Sequence, residues 1–316
     1  MTYVRVLTDA DVRACAPPWP ELIDLAQDAL VALAEGRAEV PPKPAVHTSP
    51  GMFANAMPAS FPERNLLGCK WISLVPDNPV RGLPTASGVM VINDGTTGQP
   101  VCIMQAAELT ALRTAAVTGA CVRALADPDE PIALLGTGVQ ARSHLAMLAA
   151  LGWRGVVVWG RRPSAVRTLG EWAHDAGLGL EVVVSPSREA AVRDAGTVIT
   201  ALSIGLTDTR LPITLPRADA LLIPLDYASS VGPELAETAV LAADDVRQFE
   251  SVRADRSKLG GYPKPTHWTG HLLGGMRPEG RLVVSNLGSG ITDLLVGHAI
   301  AQRAAFSDAG TEVPFP

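Results

Sequence analysis

The sequence predicts an α/β protein in which a doubly wound parallel sheet is inserted into a smaller mixed α+β domain. Its 316 residues are about twice the usual length of one domain. Over residues 37–105, short apolar stretches are broken by Pro and Gly, whereas continuous apolar runs alternate with helical segments from residue 131. Uninterrupted apolar strands are typical of parallel sheets covered on both faces. We therefore expect one domain at 1–124 and 292–316, for substrate binding and dimerisation, and a second at 125–291.

Composition excludes several classes of protein. Hydrophobic residues are 47% and charged residues 18%, which suits a globular chain and not a disordered one. The net charge is -6 and the 26 Lys and Arg residues are scattered, so no basic stripe for nucleic acid is present. No apolar run reaches membrane-spanning length. The N-terminal segment contains acidic residues where a signal peptide would be apolar. Four cysteines without CxxC spacing read as reduced thiols, so we expect a soluble, cytoplasmic protein.

The first domain is predicted to begin and end with helices around a sheet. Thr8 followed by Asp11 resembles a helix start, and residues 20–36 form an amphipathic helix. Residues 37–105 predict a mostly antiparallel, barrel-like sheet, with a hairpin turn near its end. An Ala-rich helix then covers 107–126, and the last helix, 291–305, is expected to pack back onto this domain.

The second domain is predicted from alternating strands and helices. Six apolar runs read as buried strands: PIALLG, GVVVWG, LEVVVS, TVITAL, ALLIPLD and RLVVSN. Helical segments are expected at 139–151, 164–176, 187–194 and 233–240. This alternation predicts a parallel, doubly wound sheet.

A glycine-rich turn follows the first of these strands. Gly136 allows a tight turn, Gly138 allows the backbone to approach a pyrophosphate, and Ala141 permits close helix packing. The helix start, at Val139 and Gln140, offers free N–H groups to phosphates. The pattern predicts a Rossmann-type dinucleotide site; the alternative is a tight turn without a ligand.

The end of the second strand indicates which cofactor binds. NAD-preferring folds place an acid there to hold the ribose hydroxyl, but this strand ends at Gly160. Arg161, Arg162 and Ser164 follow, and guanidinium groups suit a 2′-phosphate. NADP(H) is therefore favoured and NAD(H) remains possible; the alternative is that the arginines form a solvated loop.

Three charged residues lie in apolar surroundings. Lys70 shares a strand face with apolar residues, and Arg113 lies mid-helix without an acid at i±3 or i±4. An anionic ligand could pair with both cations. Asp226 follows a strand at the edge where parallel sheets bind ligands. The alternatives are an edge-strand lysine and a turn aspartate.

The histidines predict no metal site. His267 and His271 are four residues apart, but the intervening Gly270 argues against a helix that would align them. No cluster of acids or cysteines completes a ligand set, so we expect no metal.

Six segments carry a further signal. In chain order they are KWISLVPDN, GLPTASGVMVINDGTTGQPV, LTALRTAAVTG, LLGTGVQARSHL, GHLLGGMRPEGR and VVSNLGSGITD. Together they resemble the ornithine cyclodeaminase/mu-crystallin family over nearly the whole chain. LTALRTAAVTG is the most specific of them, whereas the glycine-rich loop alone would not distinguish this family from other dehydrogenases.

The resemblance implies a homodimer built through the mixed sheet, with a nicotinamide cofactor in the second domain. It implies that Lys70 binds substrate and acts in catalysis, and that Arg113 lies between substrate carboxylate and cofactor. Asp226 matches an acid/base aspartate, and Asn55 lies at a substrate-binding position. The remaining implied contacts are on the cofactor side: Thr85, Thr114, Leu202 and Gly288, with Asp293 in the segment that closes over the nicotinamide.

Three departures from the family pattern bear on the substrate. An early arginine that clamps the amino-acid carboxylate is missing from residues 43–47, and a glutamate is replaced by Asn55. The loop after Asp226 is two residues longer and lacks the family's lysine. The first two departures weaken ornithine as substrate. We expect an NADP(H)-dependent oxidoreductase that reduces an imino acid; the alternatives are a cyclodeaminase-type lyase with retained NAD and a non-catalytic protein that binds NADPH and a small ligand.

Overall fold

The computed structural model describes residues 2–49, 51–255 and 258–315. The chain forms two compact units. Unit 1 comprises Met1–Arg113 and Gly288–Pro316, and unit 2 comprises Thr114–Leu287. The first boundary lies inside a helix, directly after Arg113, and so falls earlier than the domain boundary expected from the sequence.

The helices and strands are numbered in chain order. Up to the unit boundary they are β1 (Thr2–Leu7), α1 (Asp9–Ala14), α2 (Trp19–Ala34), β2 (Ala45–Val46), β3 (Phe53–Phe61), β4 (Leu66–Leu74), β5 (Ala86–Asp94), β6 (Pro100–Gln105) and α3 (Ala106–Leu125). Unit 2 continues with β7 (Ile132–Leu135), α4 (Val139–Ala150), β8 (Gly155–Trp159), α5 (Pro163–Asp175), β9 (Glu181–Val184), α6 (Arg188–Val192), β10 (Thr197–Thr200), β11 (Leu221–Pro224), α7 (Pro233–Ala236), β12 (Val240–Ala243), α8 (Val246–Asp255), β13 (His267–Trp268), α9 (Thr269–Leu272) and β14 (Leu282–Ser285). The chain ends with α10 (Gly290–Ser307) and β15 (Thr311–Phe315).

Unit 1 contains a seven-stranded mixed sheet in the order β15-β1-β6-β5-β4-β3-β2. Its pairs are antiparallel except β1 with β6, which are parallel. In the described residues β15 and β2 end this order, so the sheet is open and the barrel-like prediction is wrong. Strand β4 pairs along its whole length with β3 and β5, so Lys70 is not on an edge strand.

Helix α10 packs on one face of this sheet, as expected for the last helix. A Cβ on Gly290 would lie 2.9 Å from the carbonyl oxygens of Met57 and Pro58 in β3. A Cβ on Gly68 of β4 would lie 3.1 Å from a methyl carbon of Leu294. Because Gly290 carries no side chain, the backbone of α10 lies close to β3, the neighbour of the strand β4 that carries Lys70.

Unit 2 contains an eight-stranded parallel sheet in the order β13-β12-β14-β11-β10-β7-β8-β9. The predicted α/β class and parallel sheet are confirmed, and β7, β10, β11 and β14 are buried along their whole length. The helix predicted at 233–240 is wrong beyond its first turn, because Val240 begins β12. The two short strands β12 and β13 were not predicted, since such brief apolar runs carry little periodicity. In the described residues no helix has the length and apolar character needed to cross a bilayer.

Candidate functional site

The turn between β7 and α4 has the geometry that a dinucleotide requires. Gly136 has a φ of 129°, and a Cβ there would collide with the carbonyl of Ala201. Gly138 caps α4, and a Cβ there would have no neighbouring atom within 4 Å. The backbone at the helix N-terminus is therefore open to a ligand, which fits the pyrophosphate of a dinucleotide.

A cleft of about 310 Å³ opens at this turn, at the carboxyl ends of β7, β8 and β10. It brings together five of the residues predicted from the sequence to bind cofactor: Gly136, Gly138, Arg161, Arg162 and Leu202. Val139 is exposed at the start of α4, and the backbone oxygen of Gln140 accepts a hydrogen bond from the buried His144. The cleft is thus lined by backbone and by two arginines.

A second hollow holds Ser164 and an arginine that the sequence analysis missed. Arg142, from α4, and Arg162 both line it, together with Thr137 and Thr168. The Arg142 guanidinium carbon lies 5.5 Å from the centroid of the Trp172 ring. The sequence could have pointed to Arg142 by its position, four residues after Gly138 and so one helical turn from the glycine-rich turn.

Gly160 has a packing reason that the sequence did not reveal. A Cβ at this position would lie 2.6 Å from Thr137 Cγ2 and 3.2 Å from Val166 Cγ2. A side chain at this position, such as the ribose-reading acid of NAD-preferring folds, would therefore require Thr137 and Val166 to move.

Asp226 is fully buried beside the cofactor cleft. Its Oδ2 accepts hydrogen bonds from the backbone N–H of Leu202 at 3.1 Å and from Ser230 Oγ at 2.6 Å. In the described residues Oδ1 has no hydrogen-bond partner. Burial raises the pKa of the Asp226 carboxyl, while the hydrogen bonds from Ser230 and Leu202 oppose the rise. Burial therefore favours the protonated form of this carboxyl, which is the form that can donate a proton.

Lys70 and Arg113 meet on one carboxylate in unit 1. Lys70 Nζ lies 2.6 Å from Asp293 Oδ1, and Arg113 Nε lies 3.1 Å from the same oxygen. Lys70 also donates to Thr110 Oγ1 at 3.3 Å. The pKa of Lys70 is lowered to about 7, first by burial and then by the Arg113 guanidinium, while Asp293 opposes both effects. The sequence analysis expected an anionic ligand as partner, whereas the chain supplies its own carboxylate from α10.

The guanidinium of Arg113 lies against Gly288. Gly288 has a φ of 84°, and a Cβ there would lie 2.6 Å from Arg113 Nη1. Lys43 Nζ donates to the backbone oxygen of Gly288 at 3.2 Å, which places a third cation beside this group. In the described residues the two Nη atoms of Arg113 donate no hydrogen bond. They are therefore available to a carboxylate, which a guanidinium binds in bidentate fashion.

The remaining predicted site residues are distributed over both units. Asn55 is buried on β3, and its pairing opposite Ile72 places it on the same sheet face as Lys70. Thr85 is exposed just before β5, and Thr114 begins unit 2 within α3. No cluster of three or more metal-binding side chains occurs among the described residues.

Comparison with known proteins identifies a matching family and several relatives. The model of the ornithine cyclodeaminase/mu-crystallin family matches residues 5–210. The nodulation efficiency protein NfeD of Rhizobium meliloti is 31% identical over 324 residues, covering 99% of each chain. Delta(1)-pyrroline-2-carboxylate reductase 1 of Burkholderia multivorans is 31% identical over 251 residues, covering 78% of this chain and 76% of that protein.

A solved structure has the same fold over almost the whole chain. It is the Thermococcus litoralis Delta(1)-pyrroline-2-carboxylate reductase in complex with NADH and L-proline, with a TM-score of 0.86. The two sequences are 21% identical, and the match covers 98% of this chain and 100% of that one. The predicted architecture, two units with a dinucleotide-type parallel sheet, is thus shared with a known fold.

The open space at Gly138 predicts a selective loss of cofactor binding. Gly138 has a φ of -84°, which any residue adopts, so Gly138→Val should fold and lower the melting temperature only slightly, because Val is a poorer N-cap than Gly. The added side chain would occupy the space open to the pyrophosphate and weaken NADPH binding by about tenfold or more. Fluorescence titration measures the Kd. Gly155→Val, at an equally open position on β8, is the matched control, and equal Kd values in both variants would contradict the assignment.

Proposed function

The chain belongs to the ornithine cyclodeaminase/mu-crystallin family, and from this premise we propose that it is an NADP(H)-dependent reductase of imino acids. The reaction adds a hydride to the carbon and a proton to the nitrogen of a C=N bond next to a carboxylate. The observation that carries the proposal is the contact between Leu202 and Asp226. Leu202 lines the dinucleotide cleft, and its N–H holds a buried carboxyl whose pKa is raised.

Each reacting group has a residue suited to it. A nicotinamide cofactor, when bound, supplies the hydride. Lys70 and Arg113 are cationic groups that bind the substrate carboxylate, and Asn55 shares the sheet face of Lys70. Asp226 delivers the proton to the nitrogen, because burial favours its protonated form. The relative named as a pyrroline-carboxylate reductase supports a cyclic imine as substrate.

The cofactor is proposed to be NADP(H) because of the groups around the β8 end. Gly160 carries no acidic side chain, and Arg161 and Arg162 line the cleft. Arg142 and Ser164 line the hollow next to Arg162, so they add positive charge and a hydroxyl for a 2′-phosphate.

A homodimer is proposed through the outer face of the mixed sheet. Trp71 on β4, Val89 on β5 and Val101 on β6 are between 39% and 43% exposed. Trp71 and Val89 are cross-strand partners, so these two side chains form an adjacent apolar pair on the exposed face. A second copy of the chain is the occupant that the family resemblance implies, and sedimentation equilibrium tests it.

The proposed reaction is tested by cofactor consumption. With Δ1-pyrroline-2-carboxylate, we expect NADPH absorbance at 340 nm to fall in proportion to the proline formed. Conversion of L-ornithine with release of ammonia and no net cofactor turnover would assign the chain as a cyclodeaminase instead. NADPH binding without turnover of cyclic or linear imino acids would leave only the binding-protein alternative.

The role of Asp226 predicts a loss of turnover with retained structure. Asp226→Asn keeps the shape of the side chain but cannot deliver a proton, so kcat should fall by about a hundredfold or more. Steady-state kinetics and circular dichroism measure the two properties. Asp194→Asn, at an exposed aspartate, is the control. Near-normal kcat in Asp226→Asn would transfer the acid role to another group.

The arginines predict a cofactor preference that depends on salt. The protein should bind NADPH about ten- to a hundredfold more tightly than NADH, because guanidinium–phosphate pairs are charge-assisted. The preference should shrink in the Arg161→Ala, Arg162→Ala double variant and at higher ionic strength. The Arg154→Ala, Arg193→Ala variant removes the same charge elsewhere and should retain it. Equal Kd values for both cofactors in the wild type would contradict the proposed NADP(H) preference.

A further inference from the structure

We propose that Asp293 is a positioning residue of the anion site, which holds Lys70 and Arg113 on one oxygen and so presents the Nη edge of Arg113 to a substrate carboxylate. This inference rests on the proposed function, because it assigns Asp293 to the binding of the same substrate. Asp293 touches the two cations and acts through them.

The backbone of Asp293 is fixed by its helix. Asp293 lies in the first turn of α10, whose start at Gly290 is pressed against the carbonyl oxygens of Met57 and Pro58. Thr292 Oγ1 donates to the carbonyl of Ser289 at 2.7 Å, which ties this turn together. The Asp293 carboxylate is therefore carried by a helix and not by a loop, so packing of the helix on the sheet holds it in position.

The hydrogen bonding of Asp293 is one-sided. Oδ1 contacts both Lys70 and Arg113, whereas Oδ2 is buried and has no hydrogen-bond partner in the described residues. Buried carboxylate oxygens are normally paired, and exceptions are concentrated at functional sites. Here one oxygen fixes the two cations and leaves the outer donors of Arg113 unused.

The charges around Lys70 show why the two cations need this carboxylate. Lys70 contacts Asp293 of α10 and Thr110 of α3. Two further cations, Arg113 of α3 and Lys43 from the segment before β2, lower its pKa by electrostatic repulsion. Without Asp293, Lys70 would be a fully buried cation beside two others. Burial would then favour the neutral form of Lys70, because no opposite charge compensates the lost hydration, and a neutral amine no longer attracts a carboxylate.

The charge of Lys70 can be measured without turnover. The chain has four lysines, Lys43, Lys70, Lys258 and Lys264, so their Nζ signals can be resolved by ¹⁵N NMR after selective labelling. The Lys70 signal is assigned by its loss in Lys70→Met. In Asp293→Asn we expect the midpoint of the Lys70 titration to fall from about 7 to about 6 or below, because the neutral amide cannot stabilise the ammonium. An unchanged midpoint would overturn the proposal.

Kinetics test the consequence for the substrate. Asp293→Asn should raise KM for Δ1-pyrroline-2-carboxylate at pH 8 by about tenfold or more, with kcat within about threefold. Because binding requires protonated Lys70, kcat/KM falls as pH rises through its pKa, and this basic limb should move to lower pH in the variant. A lower melting temperature with an unchanged pH profile would show that Asp293 is only structural. Glu21→Gln, which removes a carboxylate paired with Arg303 of α10, is the matched control.

A double variant keeps the test decisive if Asp293→Asn folds poorly. Lys70→Met with Asp293→Asn removes one charge of each sign, so stability should recover relative to Asp293→Asn alone. Additive losses of stability would overturn the coupling on which the proposal depends. If the wild type reduces no imino acid, the proposed function fails, but the NMR titration still decides whether Asp293 sets the charge of Lys70.

Discussion

The buried ion cluster of Lys70, Arg113 and Asp293 is the interaction on which unit 1 depends. A buried charge is tolerated only when an opposite charge and hydrogen bonds compensate its lost hydration. The three residues belong to β4, α3 and α10, and Lys70 and Asp293 are 223 residues apart in the chain. The cluster, together with the pairing of β1 with β15, joins the first and last parts of the chain into one unit, and it holds two cations side by side.

Close backbone approach makes this cluster possible. Gly290 and Gly68 allow α10 to lie directly on the sheet, which brings the first turn of the helix to the level of Lys70. Gly288 removes the side chain that would otherwise collide with the Arg113 guanidinium. The two glycines Gly288 and Gly290 of the VVSNLGSGITD segment thus have a packing reason, close to the cluster of Lys70, Arg113 and Asp293, that the sequence alone does not give.

In unit 2, glycines likewise allow close packing around the cleft at the β7–α4 turn. Gly136 and Gly160 allow the ends of β7 and β8 to approach Ala201 and Thr137. Leu202 then connects the cleft to Asp226 through one hydrogen bond. The loop after Asp226 contributes Ser230 Oγ to the same carboxylate, and this hydrogen bond fixes the orientation of the Asp226 side chain.

The sequence by itself determined the α/β class, the family, the glycine-rich turn and most strands, because apolar runs and glycine spacing are local signals. It also marked Lys70, Arg113 and Asp226, because a charge among apolar residues stands out without any knowledge of its neighbours. Only the tertiary structure showed that Asp293 pairs with both cations, that Arg142 lies beside Arg162, and that a side chain at Gly160 would require its neighbours to move. These facts depend on contacts between residues distant in the chain, for which sequence periodicity carries no information.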